Sequence, residues 1–324
     1  DLFPYVMARV WARETQQKKF LKNWIVKQKV TNHNPMGFTG LAMNMRRAPF
    51  DDRRVRLAMA HLMNREKINS GLLYNMYFLH KSYFESLYDA AHPCKNELVS
   101  FDKQKARGLL AEAGWKANPT TGILEKNGKP FAFKFLSSAA TLNKYLVIYQ
   151  QDLKDVGIEM TIDQKDWASW LKDMDEFHYD MTGSNWMSGS RDDPEGMWHS
   201  KEADRQASSN ITGFKNARVD ELIEKQKSIF DLQERNKIYR EIDSLIFNEH
   251  PYVLLWNLDY QRLLYWNRFG TPPTVLSKFD REESAYKYWW ASPDTREELR
   301  DAVRGNWALP HKELEIKFDE KFGK

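Results

Sequence analysis

The sequence predicts an α/β protein in which one long block, about residues 45–255, makes a complete domain and the two flanks fold together as another. Three observations predict it. Strand-like and helix-like segments alternate through the block, the order expected of a sheet covered by helices. Two short apolar stretches, 38–45 and 252–256, bracket the block as crossings. The flanking pieces, 1–44 and 256–324, are too small to close a domain separately, while the 324 residues in all suffice for about two.

Taken in order, residues 8–20 read as a polar helix, 32–35 as a turn cluster and 38–45 as a short apolar strand. Asp51 or Asp52 caps the next helix, since a carboxylate there accepts from free N–H groups and complements the helix dipole. Val55, Ala58, Met59 and Leu62 share one of its faces. Asp102 caps a helix that buries Ala106, Leu109, Leu110 and Ala113 and stops at Gly114. Asn127-Gly128 predicts a hairpin, because a type I′ turn needs positive φ at both central residues, and Phe131, Phe133 and Phe135 alternate along its second strand, 130–136. Leu142, Leu146, Tyr149, Leu153 and Val156 form a helix ended by Gly157, and Ile158, Met160 and Ile162 alternate as a strand. Asp166 caps a short helix through Trp167, Trp170 and Leu171, and 177–182 is a strand. Asn216 opens a helix carrying Val219, Leu222 and Ile223; Asp231 with Glu234 makes a capping box for one through Ile238, Ile242, Leu245 and Ile246. Residues 252–256 read as a buried strand. Past Gly270 the chain is loop-rich to Trp289-Trp290, then ends in two short polar helices or a charged tail.

Bulk composition narrows the function classes. The net charge of +4 is small and mixed in sign, so nothing demands a nucleic-acid partner. Residues 9–29 carry seven basic side chains against Glu14, which reads as a solvated face with acidic partners elsewhere in the fold. A single cysteine, Cys94, rules out an intrachain disulfide, and His92-Pro93-Cys94 matches no catalytic thiol signature. No apolar run is long enough to span a bilayer.

No glycine-rich phosphate loop, nucleophile elbow or metal-spaced histidine pair is present, so no cofactor or metal is expected. The densest polar-aromatic feature is 183–210, read as a loop after a strand. It gathers Asn185, Trp186, Met187, Ser188, Arg191, Asp192, Asp193 and Trp198. Amides and hydroxyls bond a peptide backbone, tryptophan offers a flat apolar wall, acids hold an amine and arginine a carboxylate. The alternative chemistry is hydrolysis through Asp192, Asp193 and His199; the enzyme reading is not preferred, because neighbouring acids in sequence often point apart.

Four stretches carry a family resemblance. Residues 40–58, with Asn44-Met45-Arg46-Arg47 and Phe50-Asp51-Asp52-Arg53-Arg54-Val55-Arg56, resemble the signature of family 5 extracellular solute-binding proteins, the peptide-binding components of ABC importers. Ala106 to Trp115 is similar to that family's helix-to-Gly-Trp motif, Leu153-Lys154-Asp155-Val156-Gly157-Ile158-Glu159 to its leucine–glycine–isoleucine step, and Thr212-Gly213 with Asn216, Val219-Asp220 and Leu222-Ile223 to its late loop-helix motif. Within the family the chain resembles the branch that imports microcin C-type peptides, through Gly213-Phe214-Lys215-Asn216 and Tyr265-Trp266-Asn267-Arg268-Phe269-Gly270 among others. The resemblance implies a periplasmic-binding-protein-like two-lobe clamshell: 1–40 and 258–324 in lobe one, 41–257 as lobe two. Family members are longer at the N-terminus, so lobe one is expected to be partial, completed by a missing segment or a separate N-terminal fragment. It implies a periplasmic or extracytoplasmic protein that is not an enzyme, whose partners are a peptide and an ABC transporter membrane permease. By position, Trp186 and Met187 match residues whose backbone meets ligand, and Trp256 and Asn257 match the strand end lining the cleft. Gly189 stands where many oligopeptide binders carry an aspartate that grips the ligand amine.

Overall fold

The computed structural model describes residues 1–3, 7–189 and 193–322. The chain divides into two compact units: Asp1–Pro35, Asn69–Phe78 and Leu258–Lys324 form the first, Met36–Ile68 and Leu79–Asn257 the second. Asn69–Phe78, placed by the sequence reading inside the 41–257 block, thus groups with the flanks.

The first unit is built on a four-stranded sheet in the order Leu2–Phe3, Gln261–Trp266, Ile25–Thr31, Glu315–Lys317. The first three strands are antiparallel and the last is parallel to its neighbour. Val26, Val30, Leu263, Tyr265, Val275, Leu276 and Ile316 form its core. Gln28 is buried in this apolar setting and is satisfied there: its Oε1 accepts from Tyr265 Oη at 2.6 Å and its Nε2 donates to Glu313 O at 2.7 Å. The expected helix over 8–20 is broken into Ala8–Arg13, a 3₁₀ turn Glu14–Gln16 and Lys18–Leu21. Basic side chains of the 9–29 stretch find partners within this unit. Lys27 donates to Trp11 O and Thr15 Oγ1, both at 2.9 Å, and Lys29 pairs with Glu315 at 2.9 Å.

The second unit holds a five-stranded sheet in the order Tyr252–Leu254, Phe38–Met43, Met181–Trp186, Ala132–Ser137, Glu159–Gln164. Phe38–Met43 runs antiparallel to both neighbours, and the remaining strands run in one direction. Local capping chemistry starts the helices around it. Asp52 accepts from Arg54 N to open Arg53–His61, Asp102 from Lys105 N to open Lys103–Glu112, and Asp166 from Ser169 N to open Trp167–Asp175. Asn216 and Asp231 do the same for Ala217–Gln226 and Leu232–Glu249. Gly114 and Gly157, with φ of +90° and +86°, take the left-handed turns that end helices, a conformation closed to most side chains.

Two strand expectations shift. The hairpin forms at Asn127-Gly128, both at positive φ, but between Leu124–Lys126 and Lys129–Pro130; the following Ala132–Ser137 belongs to the main sheet. The strand expected over 177–182 begins at Met181 and runs to Trp186. Phe177 sits at positive φ in a turn, and Asn44 Nδ2 donates to its carbonyl. What read as the start of a loop after this strand is therefore the strand itself.

Candidate ligand-binding edge of the sheet

The four like-directed strands end on one side of the sheet, at Leu254, Trp186, Ser137 and Gln164. Open α/β sheets bind their ligands beyond these carboxyl ends, where loops diverge and backbone groups lack sheet partners. Phe38–Met43 enters at the same edge, because it is antiparallel.

Trp186 pairs with Phe38 as the last register of the central strands. Gly37 precedes it, and a Cβ there would lie 1.7 Å from Trp186 O and 2.9 Å from Met187 Cα. Only glycine lets the two backbones approach so closely. Gly37 also accepts a hydrogen bond from Asn257 Nδ2 at 3.4 Å. Trp256 lies beside it, its carbonyl accepting from Thr39 Oγ1 at 2.5 Å and its ring packed edge-on against Tyr145 at 5.2 Å. Four of the sequence-predicted residues, Trp186, Met187, Trp256 and Asn257, are thus drawn together around one glycine. Met187 is 74% exposed, whereas the Trp186 indole leans back over the core and donates Nε1–H to Tyr252 Oη at 3.2 Å. At this edge Trp186 therefore offers mainly backbone and one ring face.

Sequence reasoning missed part of the edge. The helix Trp167–Asp175 starts just past Gln164 and stacks Trp167 on Trp170, with ring centroids 4.9 Å apart and planes 22° apart. Trp170 packs on the core, while Trp167 is 65% exposed and Leu171 beside it is exposed as well. The doublet Trp167/Trp170 was visible in the sequence as a helix face; its placement at a strand end was the missing signal. Tyr145 comes from a different segment than Gly37 and Thr39, and none of the three carried a local mark beyond the glycine. Lys165, which follows Gln164, is closed off by Asp173, and this pairing raises its pKa.

Other predicted residues lie elsewhere. Trp198 is corrected from a pocket wall to a core residue: only 1% exposed, it packs against Phe38, Tyr83, Phe214 and Tyr252, with no face open to a ligand. The rest of 193–210 folds onto the unit rather than forming a loop, with a short helix Glu195–Trp198 and buried Ala203, Ser208 and Asn210. Arg46 ties this segment down by donating to the carbonyls of Ala203, Asn210 and Ile211. Asn185 lies within the strand, opposite Thr39, and is exposed; Ser188 donates to Gly189 O at 3.3 Å. Asp193 accepts from Glu195 N at 3.0 Å at the start of the short helix. Arg191 and Asp192 lie outside the described residues. His199, invoked for hydrolysis, has Asp220 at 3.4 Å from Nδ1 and Glu224 at 3.5 Å from Nε2, both on the helix Ala217–Gln226. Both ring nitrogens thus face carboxylates of that helix rather than Asp193.

Among the described residues, no group of three or more His, Cys, Asp or Glu side chains converges as a metal site, and no helix is long and apolar enough to cross a membrane.

Known proteins share this fold. The chain is 28% identical over 273 residues to the oligopeptide-binding protein AppA of Bacillus subtilis, an alignment covering 81% of this chain and 48% of AppA. Its fold matches the structure of B. subtilis AppA in complex with a nonapeptide, with a TM-score of 0.75 at 23% identity over 90% of this chain and 56% of that one. It also matches the ABC transporter-associated periplasmic binding protein DppA of Helicobacter pylori in complex with the peptide STSA, with a TM-score of 0.71 at 19% identity over 90% and 52%. The chain thus spans about half the length of the curated relatives it matches. Residues 5–208 match the model of bacterial extracellular solute-binding proteins, family 5 Middle. The mixed α/β fold is shared with these neighbours, and the chain belongs to the family 5 bacterial extracellular solute-binding proteins.

Proposed function

We propose that this chain carries the ligand-binding edge of an extracytoplasmic protein that captures peptides or peptide-like compounds and delivers them to the membrane permease of an ABC transporter. One observation carries the reading: the backbone of Trp186-Met187 ends its sheet pairing at the carboxyl edge, meeting Gly37 with Asn257 and Trp256 beside it, while the exposed Trp167 follows the outer strand of the same edge. A peptide is itself a strand of unpaired N–H and C=O groups, so a free strand end supplies its partners while flanking rings cover its side chains. The likeness to AppA and DppA, whose structures hold peptides, supports the ligand class. Capture works by binding alone, through the ligand's differential contacts with the states of its receptor. His199 faces Asp220 and Asp193 accepts from Glu195 N, partners that favour binding over turnover.

Native mass spectrometry of the purified chain, as isolated and after incubation with a random-sequence peptide pool, tests this. Intact peptide adducts at one per chain are expected. A chain that takes up no peptide, or that returns cleaved peptides, would sink the reading.

A further inference from the structure

The pairing of Tyr252–Leu254 with Phe38–Met43 stops at Gly40 opposite Leu254, and the chain then steps at Leu255 before Trp256–Asn257. Leu255 N–H still donates to Thr39 O at 2.9 Å. Thr39 N–H has turned to another partner, His80 Nε2 at 3.4 Å. His80 directly follows the short strand Phe78–Leu79 and meets the step: its own N–H donates to Leu255 O at 3.0 Å. Its Nδ1 faces Glu85 Oε1 at 3.2 Å, so the proton sits on Nδ1 and the Nε2 lone pair is presented to Thr39. Arg65 holds this corner from behind, donating from Nη1 to His80 O and Leu254 O, both at 2.9 Å, and from Nη2 to Val99 O at 2.6 Å. Arg65 and His80 are both buried. From this braced corner Thr39 Oγ1 reaches out and donates to Trp256 O.

Such an arrangement is more than strand continuation requires. A break in a strand can be solvated, yet here two buried cationic or titratable side chains from different segments are used to fill it. Burying polar groups is unfavourable unless they are matched: the carbonyls of His80, Leu254 and Val99 take the Arg65 Nη groups, the Thr39 amide and Glu85 take the His80 ring, and Arg65 Nε is left without a partner among the described residues. The result is a fixed departure angle for the two residues that follow.

We propose that Thr39 and His80 are positioning residues of the ligand edge: they set where Trp256 and Asn257 stand without contacting the ligand themselves. This rests on the reading of that edge as the peptide site. Thr39→Val keeps the shape and removes the Oγ1 donor, while Thr39→Ser keeps the donor. His80→Gln places an amide oxygen near the Nε2 position, and His80→Leu does not. Two readouts on the full chain separate the roles: the ¹⁹F resonance of fluorotryptophan at Trp256, and the amount of a random-sequence hexapeptide pool retained at equilibrium. Thr39→Val and His80→Leu are expected to move the Trp256 resonance and to lower retention about fivefold, the scale of one hydrogen bond. Thr39→Ser and His80→Gln are expected to restore both, and a general loss of fold would not be rescued in this way. An unmoved Trp256 resonance in Thr39→Val overturns the proposal, whether or not peptide binds. Unchanged retention in Thr39→Val, beside reduced retention in Trp186→Ala, overturns it too. Failure of the parent chain to retain any peptide instead counts against the peptide-site reading and leaves the resonance to decide the positioning role.

Discussion

Trp186 and Trp198 lie on one stretch of chain, about 40 Å of backbone apart if extended, and they serve opposite ends. Trp186 closes the last register of a strand, and the residue after it is largely in solvent. Trp198 stands on a one-turn helix and is enclosed by Phe38, Tyr83, Phe214 and Tyr252. The sequence around both is equally rich in polar residues and rings, so composition does not separate them. Register does: a residue at the end of a strand whose neighbour is glycine has backbone to offer, and a residue on a helix turned toward the sheet has only its ring to bury.

Removing the enclosed ring is the most severe way to test this contrast. Trp198→Ala should destabilise the second unit by about 3–5 kcal/mol, the range for deleting a buried aromatic, read as a lower urea midpoint with an unchanged slope. A loss within about 0.5 kcal/mol, the scale of surface substitutions, would contradict its core placement.

A second test uses acid on the same buried side. His250 caps Leu232–Glu249 in the left-handed conformation, and burial, reinforced by Arg53, Arg56 and His61, pushes its imidazole down to about 3. In the unfolded chain it titrates near 6.5. Stability from this group is therefore complete above about pH 6.5 and is lost as pH falls toward about 3, a total of a few kcal/mol at about 1.4 kcal/mol per unit. Asp243, pushed up to about 6 by burial, acts in the opposite sense, so its contribution declines as pH rises between about 4 and 6. His250→Asn keeps a residue that tolerates positive φ and removes the titration. The variant's stability should fall less than the parent's between pH 7 and pH 4.5; parallel curves would show that His250 does not titrate with folding.

At the edge the effects move from stability to affinity. Trp186→Ala should weaken peptide binding about tenfold or more, about 1.4 kcal/mol, with a smaller loss of stability than Trp198→Ala. Calorimetry showing equal affinity would remove Trp186 from the site. Trp167→Ala should cost about threefold in affinity and leave the melting temperature within about 1 °C, since an exposed ring contributes little to folding. A large melting shift would mean that its stack on Trp170 is structural.

Much of the fold was legible because its signals are local. Asp52, Asp102, Asp166, Asn216 and Asp231 each accept from an amide two or three residues on, and a cap needs nothing from the rest of the chain. The strand Ile25–Thr31 was not legible. Its Lys27, Gln28 and Lys29 look like solvent-facing residues, and Gln28 is buried only because Tyr265 and Glu313 are there to bond it. The site divides the same way. Trp186, Met187, Trp256 and Asn257 could be named from motif positions. Gly37, Thr39, His80 and Tyr145 converge on them, and Trp167 reaches the same edge of the sheet, through sheet order, which no window of sequence contains.

The second unit is inserted within the first: Ile25–Thr31 pairs with Gln261–Trp266, and Met36–Asn257, apart from Asn69–Phe78, lies between them. As the ribosome makes the chain, the inserted unit is complete before the partner of Ile25–Thr31 has been made. Both partners that strand has here, Gln261–Trp266 and Glu315–Lys317, are made after the insert, and until they arrive its N–H and C=O groups are bonded by water and open to another strand. Its lysines at 27 and 29 are the kind of charge that keeps a waiting strand from aggregating, and they are the residues that later find Thr15 and Glu315.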